Sequence, residues 1–162
     1  MRLTKAPDLS AALARGVNAA ASLNTATDSL TETLGQVERA LVELHLGVGA
    51  SVTLRSEVID LSDENRPPVF AETLLRFGKT GKRWTLTLVE TLDGMPEDEH
   101  ETPLVNASRE DRILAVTKLP ELVEALVLRA EERLAEVNAQ REKAQEVLAA
   151  LVSARTKKTG SP

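Results

Sequence analysis

Residues 9–44, LSAALARGVNAAASLNTATDSLTETLGQVERALVEL, decide the fold of this chain. Their apolar positions recur at alternating gaps of four and three residues, which is the period of a helix that packs lengthwise along a partner. Residues 123–151 carry a second stripe with the same spacing. The helix-seam positions predicted from the two stripes are Leu9, Leu13, Leu23, Leu30, Leu34, Val37, Leu41, Leu44, Val123, Val127, Leu134, Val137, Leu148 and Leu151.

The two stripes predict a long helix at each end of the chain. We expect the first over residues 8–46, with Asp8 as its N-cap and Gly47 just past its end. Pro120 suits the first turn of a helix and interrupts a preceding one. The pattern therefore predicts a short helix over 108–118 and a second long helix over 120–154. The polar, basic tail at 155–162 is predicted to be disordered.

Between the helices, residues 50–93 alternate between apolar and polar side chains, which is typical of strands with one buried face. They predict a three-stranded antiparallel β-meander with a turn at residues 78–82, GKTGK. Residues 94–107, which begin with an acidic run, are predicted to form a loop. The predicted sheet core is Val52, Leu54, Leu75, Phe77, Trp84, Leu86 and Leu88.

The order of elements predicts a single α+β domain over residues 1–162. Two long antiparallel, coiled-coil-like helices would bracket the three-stranded meander and the short helix. This plan is similar to that of prefoldin-type chaperone subunits, and the resemblance implies a helical hairpin with a sheet at one end. It rests on the order and length of the elements, so it assigns no functional residue.

Composition narrows the class of protein. Aromatic residues make up only 2% of the chain and the net charge is −5, which disfavours base-stacking and duplex-binding surfaces. The chain has no cysteine, so disulfides and thiolate metal sites are excluded and a reducing cytoplasm is expected. No apolar run is long enough to predict a membrane span or a signal peptide. The bias toward arginine, alanine and leucine favours a bacterial or phage source.

Catalytic patterns are missing from the sequence. The two histidines, His45 and His100, lie outside any metal-binding or catalytic motif, and no nucleophile elbow is present. Gly78-Lys79-Thr80 resembles the end of a phosphate-binding loop, but it joins two predicted strands. The acidic residues of 93–101 lack the spacing of a calcium loop. We therefore predict no enzyme activity, no cofactor and no metal site.

Two groups of residues are predicted to bind a protein partner. One is a basic hairpin tip, which favours an acidic protein over nucleic acid because the chain as a whole is acidic. The other is a set of leucines beside the second stripe, which gives that helix a second apolar face. The residues are Arg76, Lys79, Lys82 and Arg83 in the tip, and Leu122, Leu126 and Leu128 on the helix.

Arg141 interrupts the second stripe between Val137 and Ala144. Its side chain either extends from the edge of the seam into water or sets the register by pairing with a carboxylate of the facing helix. The stripes together predict a homo-oligomer, with a dimer favoured.

The function that these features favour is a non-catalytic, oligomeric coiled-coil interaction protein, meaning an adaptor, a scaffold or a protein-binding inhibitor. A prefoldin-like holdase with exposed apolar helix ends is one alternative. A nucleic-acid-binding regulator that uses the basic tip is another. The sequence does not identify the partner, the pathway or the symmetry, or whether the helices pair within one chain or between chains.

Overall fold

In a computed structural model, the described residues are 8–60, 69–92 and 95–159. Over these residues the structure is α+β, with two helices and a four-stranded antiparallel sheet. Helix α1 spans Leu9–Glu43, and strands β1 to β4 span Ala50–Asp60, Val69–Thr80, Arg83–Leu92 and Met95–Pro103. A 3₁₀ turn over Leu104–Asn106 leads into helix α2, Arg109–Thr159.

The fourth strand corrects the predicted three-stranded meander. The sheet order is β1-β2-β3-β4, and β4 occupies most of the segment that we expected to be an acidic loop. Glu101 of β4 pairs with Val89 of β3, and His100 pairs with Glu90. The carboxylates of Glu99 and Glu101 reach across the sheet to Arg76 of β2. An edge strand tolerates such charges, so its sequence resembles a loop.

The β2–β3 turn is shorter than the predicted turn at residues 78–82. Pairing continues to Thr80 and Arg83, so only Gly81 and Lys82 form the turn. Gly81 has a φ of 62°, a conformation that glycine adopts without strain at the first position of a two-residue hairpin turn. Lys79 therefore belongs to a strand, and the segment contains no phosphate-binding strand-to-helix turn.

Helix α2 is continuous, in place of the two helices predicted over 108–118 and 120–154. Ser108 caps its start, since its Oγ accepts the Asp111 N–H at 3.1 Å. Pro120 lies inside the helix, where it removes one backbone hydrogen bond. Ala115 and Leu122 on either side of it are both fully buried in one core, and this packing holds the two segments in one helix. Its last residues extend into the predicted tail, whereas 160–162 lie outside the described residues.

Helix α1 ends at Glu43, earlier than the predicted boundary at residue 46. His45 is the residue with left-handed backbone just past the end, with a φ of 51°. Gly47 also has a positive φ, of 68°, but it lies further along the connection to β1. A left-handed residue commonly terminates a helix, and glycine is the usual choice.

Both helices pack on the same face of the sheet, α2 mainly over β1 and α1 over β3. The core joins Leu34 and Leu41 of α1 to Leu122 and Leu126 of α2 through the inward side chains of the strands. Of the predicted sheet-core residues, six are buried and Trp84 is half-buried, stacked on Phe77 with ring centroids 5.6 Å apart. Glu38 adds a polar link, because its Oε2 accepts the Leu86 N–H at 2.8 Å.

The coiled-coil pairing of the two stripes within one chain is not confirmed. Leu30, Leu34, Val37 and Leu41 of the first stripe pack on the sheet core. The start of α2 meets the middle of α1, where Arg109 Nη2 donates to Asn24 Oδ1 at 3.1 Å and Arg112 donates to Thr31. We call residues 9–29 the α1 arm and residues 127–154 the α2 arm, and the leucines of both arms are exposed.

Candidate partner-binding site

Helix α2 carries two apolar faces. The first packs on the sheet, and its Ala115, Leu122 and Leu126 are at most 1% exposed. The second, which we call the α2 stripe, continues the gaps of four and three backward from the predicted seam. It comprises Ile113, Val116, Pro120, Val123, Val127, Ala130, Leu134, Val137, Arg141, Ala144, Leu148 and Leu151.

The large apolar residues of the α2 stripe are exposed along its whole length. Exposure is 39% at Val123, 60% at Leu134 and 64% at Leu151. A long exposed apolar stripe marks an interaction site. A helix of this kind also gains most of its stability from packing of its apolar face, so an unpaired arm is only marginally stable in water. The α2 stripe is therefore the strongest candidate interaction site among the described residues.

Two of the predicted partner-binding leucines belong to the core. Leu122 is 0% exposed and Leu126 is 1% exposed, so neither can contact a partner, and the prediction is corrected at both positions. Their spacing from Ala115 follows one face of the helix, and that face covers β1. Leu128 is 57% exposed and remains available to a partner.

Leu128 lies in an open groove of about 960 Å³ between α2 and the edge formed by residues 47–51 and 76–79. Its α2 wall carries two ion pairs within the helix, Arg129–Glu132 at 3.4 Å and Arg133–Glu136 at 2.7 Å. Lys79 lines the opposite wall. The groove therefore combines a short apolar floor with charges that mostly neutralise each other.

The basic hairpin tip is smaller than predicted. Arg76 faces Glu99 at 3.8 Å and forms an ion pair with Glu101 on the sheet face away from the helices. These two carboxylates offset its charge. Lys79, Lys82 and Arg83 remain as the exposed basic residues of the turn. The positive electrostatic field of the tip is correspondingly weaker, so binding in a nucleic-acid groove is disfavoured.

A second pocket, of about 530 Å³, lies on the helix side of the sheet at the end near His100. Arg55 lines it, pairs with Asp111 at 3.0 Å and donates from Nε to Thr73 Oγ1 at 3.3 Å. The rest of the polar lining comprises Glu57, Glu72, Glu90, Thr91 and His100. The Arg55–Asp111 ion pair joins β1 to the start of α2, so these side chains stabilise the fold. Among the side chains that the structure describes, no three of His, Asp or Glu converge to hold a metal ion.

No family model, curated protein or solved structure matches the chain. Across the helical residues described, no segment is both long enough and apolar enough to span a membrane. The assignment of function therefore rests on the exposed surfaces of the chain.

Sequence reasoning found the second stripe but missed its first three positions. Ile113, Val116 and Pro120 keep the same spacing as the later positions. The assumption that Pro120 ends a helix hid this continuity. Testing the heptad spacing across the proline would have revealed that the stripe begins at Ile113.

Proposed function

We propose that this chain is a non-catalytic interaction protein that self-associates through its helical arms and presents the sheet body to another protein. One observation carries the proposal: the α2 stripe repeats with heptad spacing and remains exposed from Ile113 to Leu151. A stripe of this kind is satisfied by a second helix. An adaptor or scaffold in the cytoplasm fits this arrangement, with the groove beside Leu128 and Lys79 as the surface offered to the partner.

The oligomeric state tests this proposal. We expect light scattering coupled to size exclusion to give the mass of a dimer at micromolar concentration. Leu134→Glu places a charge on the stripe and should produce a monomer. Ala139→Glu is the matched control, because Ala139 is exposed on the helix face opposite the stripe. A monomeric mass for the unchanged chain, or equal effects of the two substitutions, would overturn the proposal.

A second function, a holdase, is favoured by the exposure of leucines at the outer ends of both arms. Leu9 and Leu13 are 69% and 62% exposed, and Leu148 and Leu151 are 61% and 64% exposed. These residues could hold an unfolded client. The chain should then suppress the aggregation of a chemically denatured enzyme, and Leu9→Glu/Leu13→Glu should abolish the suppression. If the unchanged chain suppresses no aggregation, the holdase function is wrong.

A further inference from the structure

When two α2 stripes pair, the residues that face each other depend on whether the helices run parallel or antiparallel. In a parallel pair, each stripe residue faces its own copy. Arg141 would then face the partner's Arg141, and Ala130 and Ala144 would each face another alanine. Like charges in a desolvated seam are unfavourable, and facing alanines leave space that a close-packed interface fills. An antiparallel pair offsets the positions and avoids both problems.

We propose that two copies of this chain pair in antiparallel orientation through their α2 stripes, in the register that places Leu134 opposite the partner's Val137. This inference rests on the proposed self-association and specifies its geometry. The paired segment runs from Pro120 to Leu151, about 48 Å along the helix axis at the usual rise per residue. The two-fold axis passes between Ala135 and Glu136, so each contact occurs twice.

This register matches large residues with small or intermediate ones at each layer. Arg141, the longest side chain of the stripe, faces the partner's Ala130. Alternation of large and small residues across facing positions is how helices reach native packing density. The other layers are Val123 opposite the partner's Leu148, Val127 opposite the partner's Ala144, and Pro120 opposite the partner's Leu151.

Charge complementarity selects this register over its neighbours. Glu131 follows Ala130 and flanks the seam, so the partner's Glu131 lies level with Arg141 and can pair with it. A shift by one heptad that moves Leu134 opposite the partner's Ala130 places like charges together. Glu131 then lies beside the partner's Glu131, and Arg133 lies beside the partner's Arg133. The opposite shift, which moves Leu134 opposite the partner's Ala144, places the partner's neutral Asn138 beside Arg141. Only the intermediate register gives Arg141 a carboxylate without facing like charges.

The body of the protein leaves room for this pairing. In the proposed register, the end of the partner's arm lies along Val123 and Val127, which are 39% and 48% exposed. The sheet contacts α2 through Leu122 and Leu126, on a different face of the helix. The second copy can therefore reach the stripe without displacing the core.

Cysteine pairs measure the register directly, because the chain has no cysteine of its own. Three double variants share Leu148→Cys and add Val116→Cys, Val123→Cys or Ala130→Cys, which are spaced one heptad apart and lie well away from the two-fold axis. A disulfide requires Cα atoms within about 7 Å, and one heptad is about 10 Å along a helix. We expect oxidation to give a covalent dimer for Val123→Cys/Leu148→Cys only. The four corresponding single variants should stay uncrosslinked.

Each contrary result has a distinct meaning. Crosslinking of the pair with residue 116 or residue 130 overturns the register, and crosslinking of a single variant overturns the antiparallel orientation. A dimer by light scattering that no double variant crosslinks places the interface elsewhere and overturns this inference alone. A monomer overturns both this inference and the proposed function.

Charge reversal tests the predicted ion pair independently. Arg141→Glu and Glu131→Arg should each raise the dimer dissociation constant roughly tenfold, because each places two like-charged pairs at the seam. The double variant Arg141→Glu/Glu131→Arg restores opposite charges and should return the constant to within about threefold of the unchanged chain. Sedimentation equilibrium measures the dissociation constants of the unchanged chain and of the three variants. Additive losses in the double variant would show that the two residues do not meet.

Discussion

The two apolar faces of α2 are built from the same residue types and spaced almost alike, yet one is buried and the other is exposed. On the sheet face, Leu122 is 0% exposed, whereas Leu134 on the α2 stripe is 60% exposed. The sheet face ends where the strands end, so it stabilises one copy of the chain. The stripe continues along the whole arm, and the proposed pairing with a second copy would cover it. Apolar spacing thus predicts that a surface must be covered but does not say by what.

The largest effect expected from this difference follows from truncation of the sheet face. Leu122→Ala leaves a cavity in the buried core, and it should reduce the free energy of unfolding by about 2–5 kcal/mol. Leu148→Ala on the arm should cost less than about 1 kcal/mol under conditions where the chain is monomeric, since an exposed side chain buries little area. Urea denaturation of dilute protein measures both. Equal losses would show that the arm is packed within one chain.

How far the sequence predicted the fold follows from the same comparison. Val52, Leu75 and Leu86, which the alternation of apolar and polar residues assigned to the sheet core, are buried. In a strand with one face exposed to solvent, side chains alternate between the two faces with a period of two residues. The heptad stripe located both helices but assigned Leu34 and Leu41 to a helical partner. A helix packed on a sheet has nearly the same spacing as one in a coiled coil, so the neighbour could not be inferred.

The remaining errors have physical causes of the same kind. Strand β4 was missed because its outward carboxylates at Glu99 and Glu101 are compensated by Arg76, which is distant in sequence. The continuity of α2 was missed because the cost of Pro120 is offset by burial on both sides of it. The candidate site was identified from the heptad spacing, but the burial of Leu122 and Leu126 was needed to separate it from the face of α2 that packs on the sheet.

The ion pairs of the body and of the arm offer a second contrast. Asp111 accepts from Ser108 Oγ at 2.7 Å and pairs with Arg55, with only 17% of its side chain exposed. Asp111→Ala should therefore reduce stability by about 1–3 kcal/mol. Glu136→Ala removes a pair in the arm that is more than 60% exposed at both partners, and it should cost less than about 0.5 kcal/mol. Thermal unfolding measures the loss of stability in both variants. A larger loss for Glu136→Ala than for Asp111→Ala would mean that the arm is desolvated.

Backbone packing in the body predicts a further loss at Gly49. A Cβ at this position would lie 2.9 Å from the Phe77 carbonyl oxygen, closer than side chains approach a backbone. Gly49→Ala should push β1 away from β2 and cost about 1–3 kcal/mol, the usual range for overpacking. Chemical denaturation measures the loss. An unchanged midpoint would show that residues 47–50 shift freely and that the adjacent groove is adaptable.

A small effect of the opposite sign is expected at Gly16 in the α1 arm. A Cβ there meets nothing within 4 Å, and alanine in a helix interior is about 0.5–1 kcal/mol more favourable than glycine. Gly16→Ala should therefore raise helix content by circular dichroism and leave the oligomeric mass unchanged. Gly16 continues the first stripe between Leu13 and Ala20. If the substitution instead weakened association, a second helix would have to approach that backbone closely, and the α1 arm would form part of the interface alongside α2.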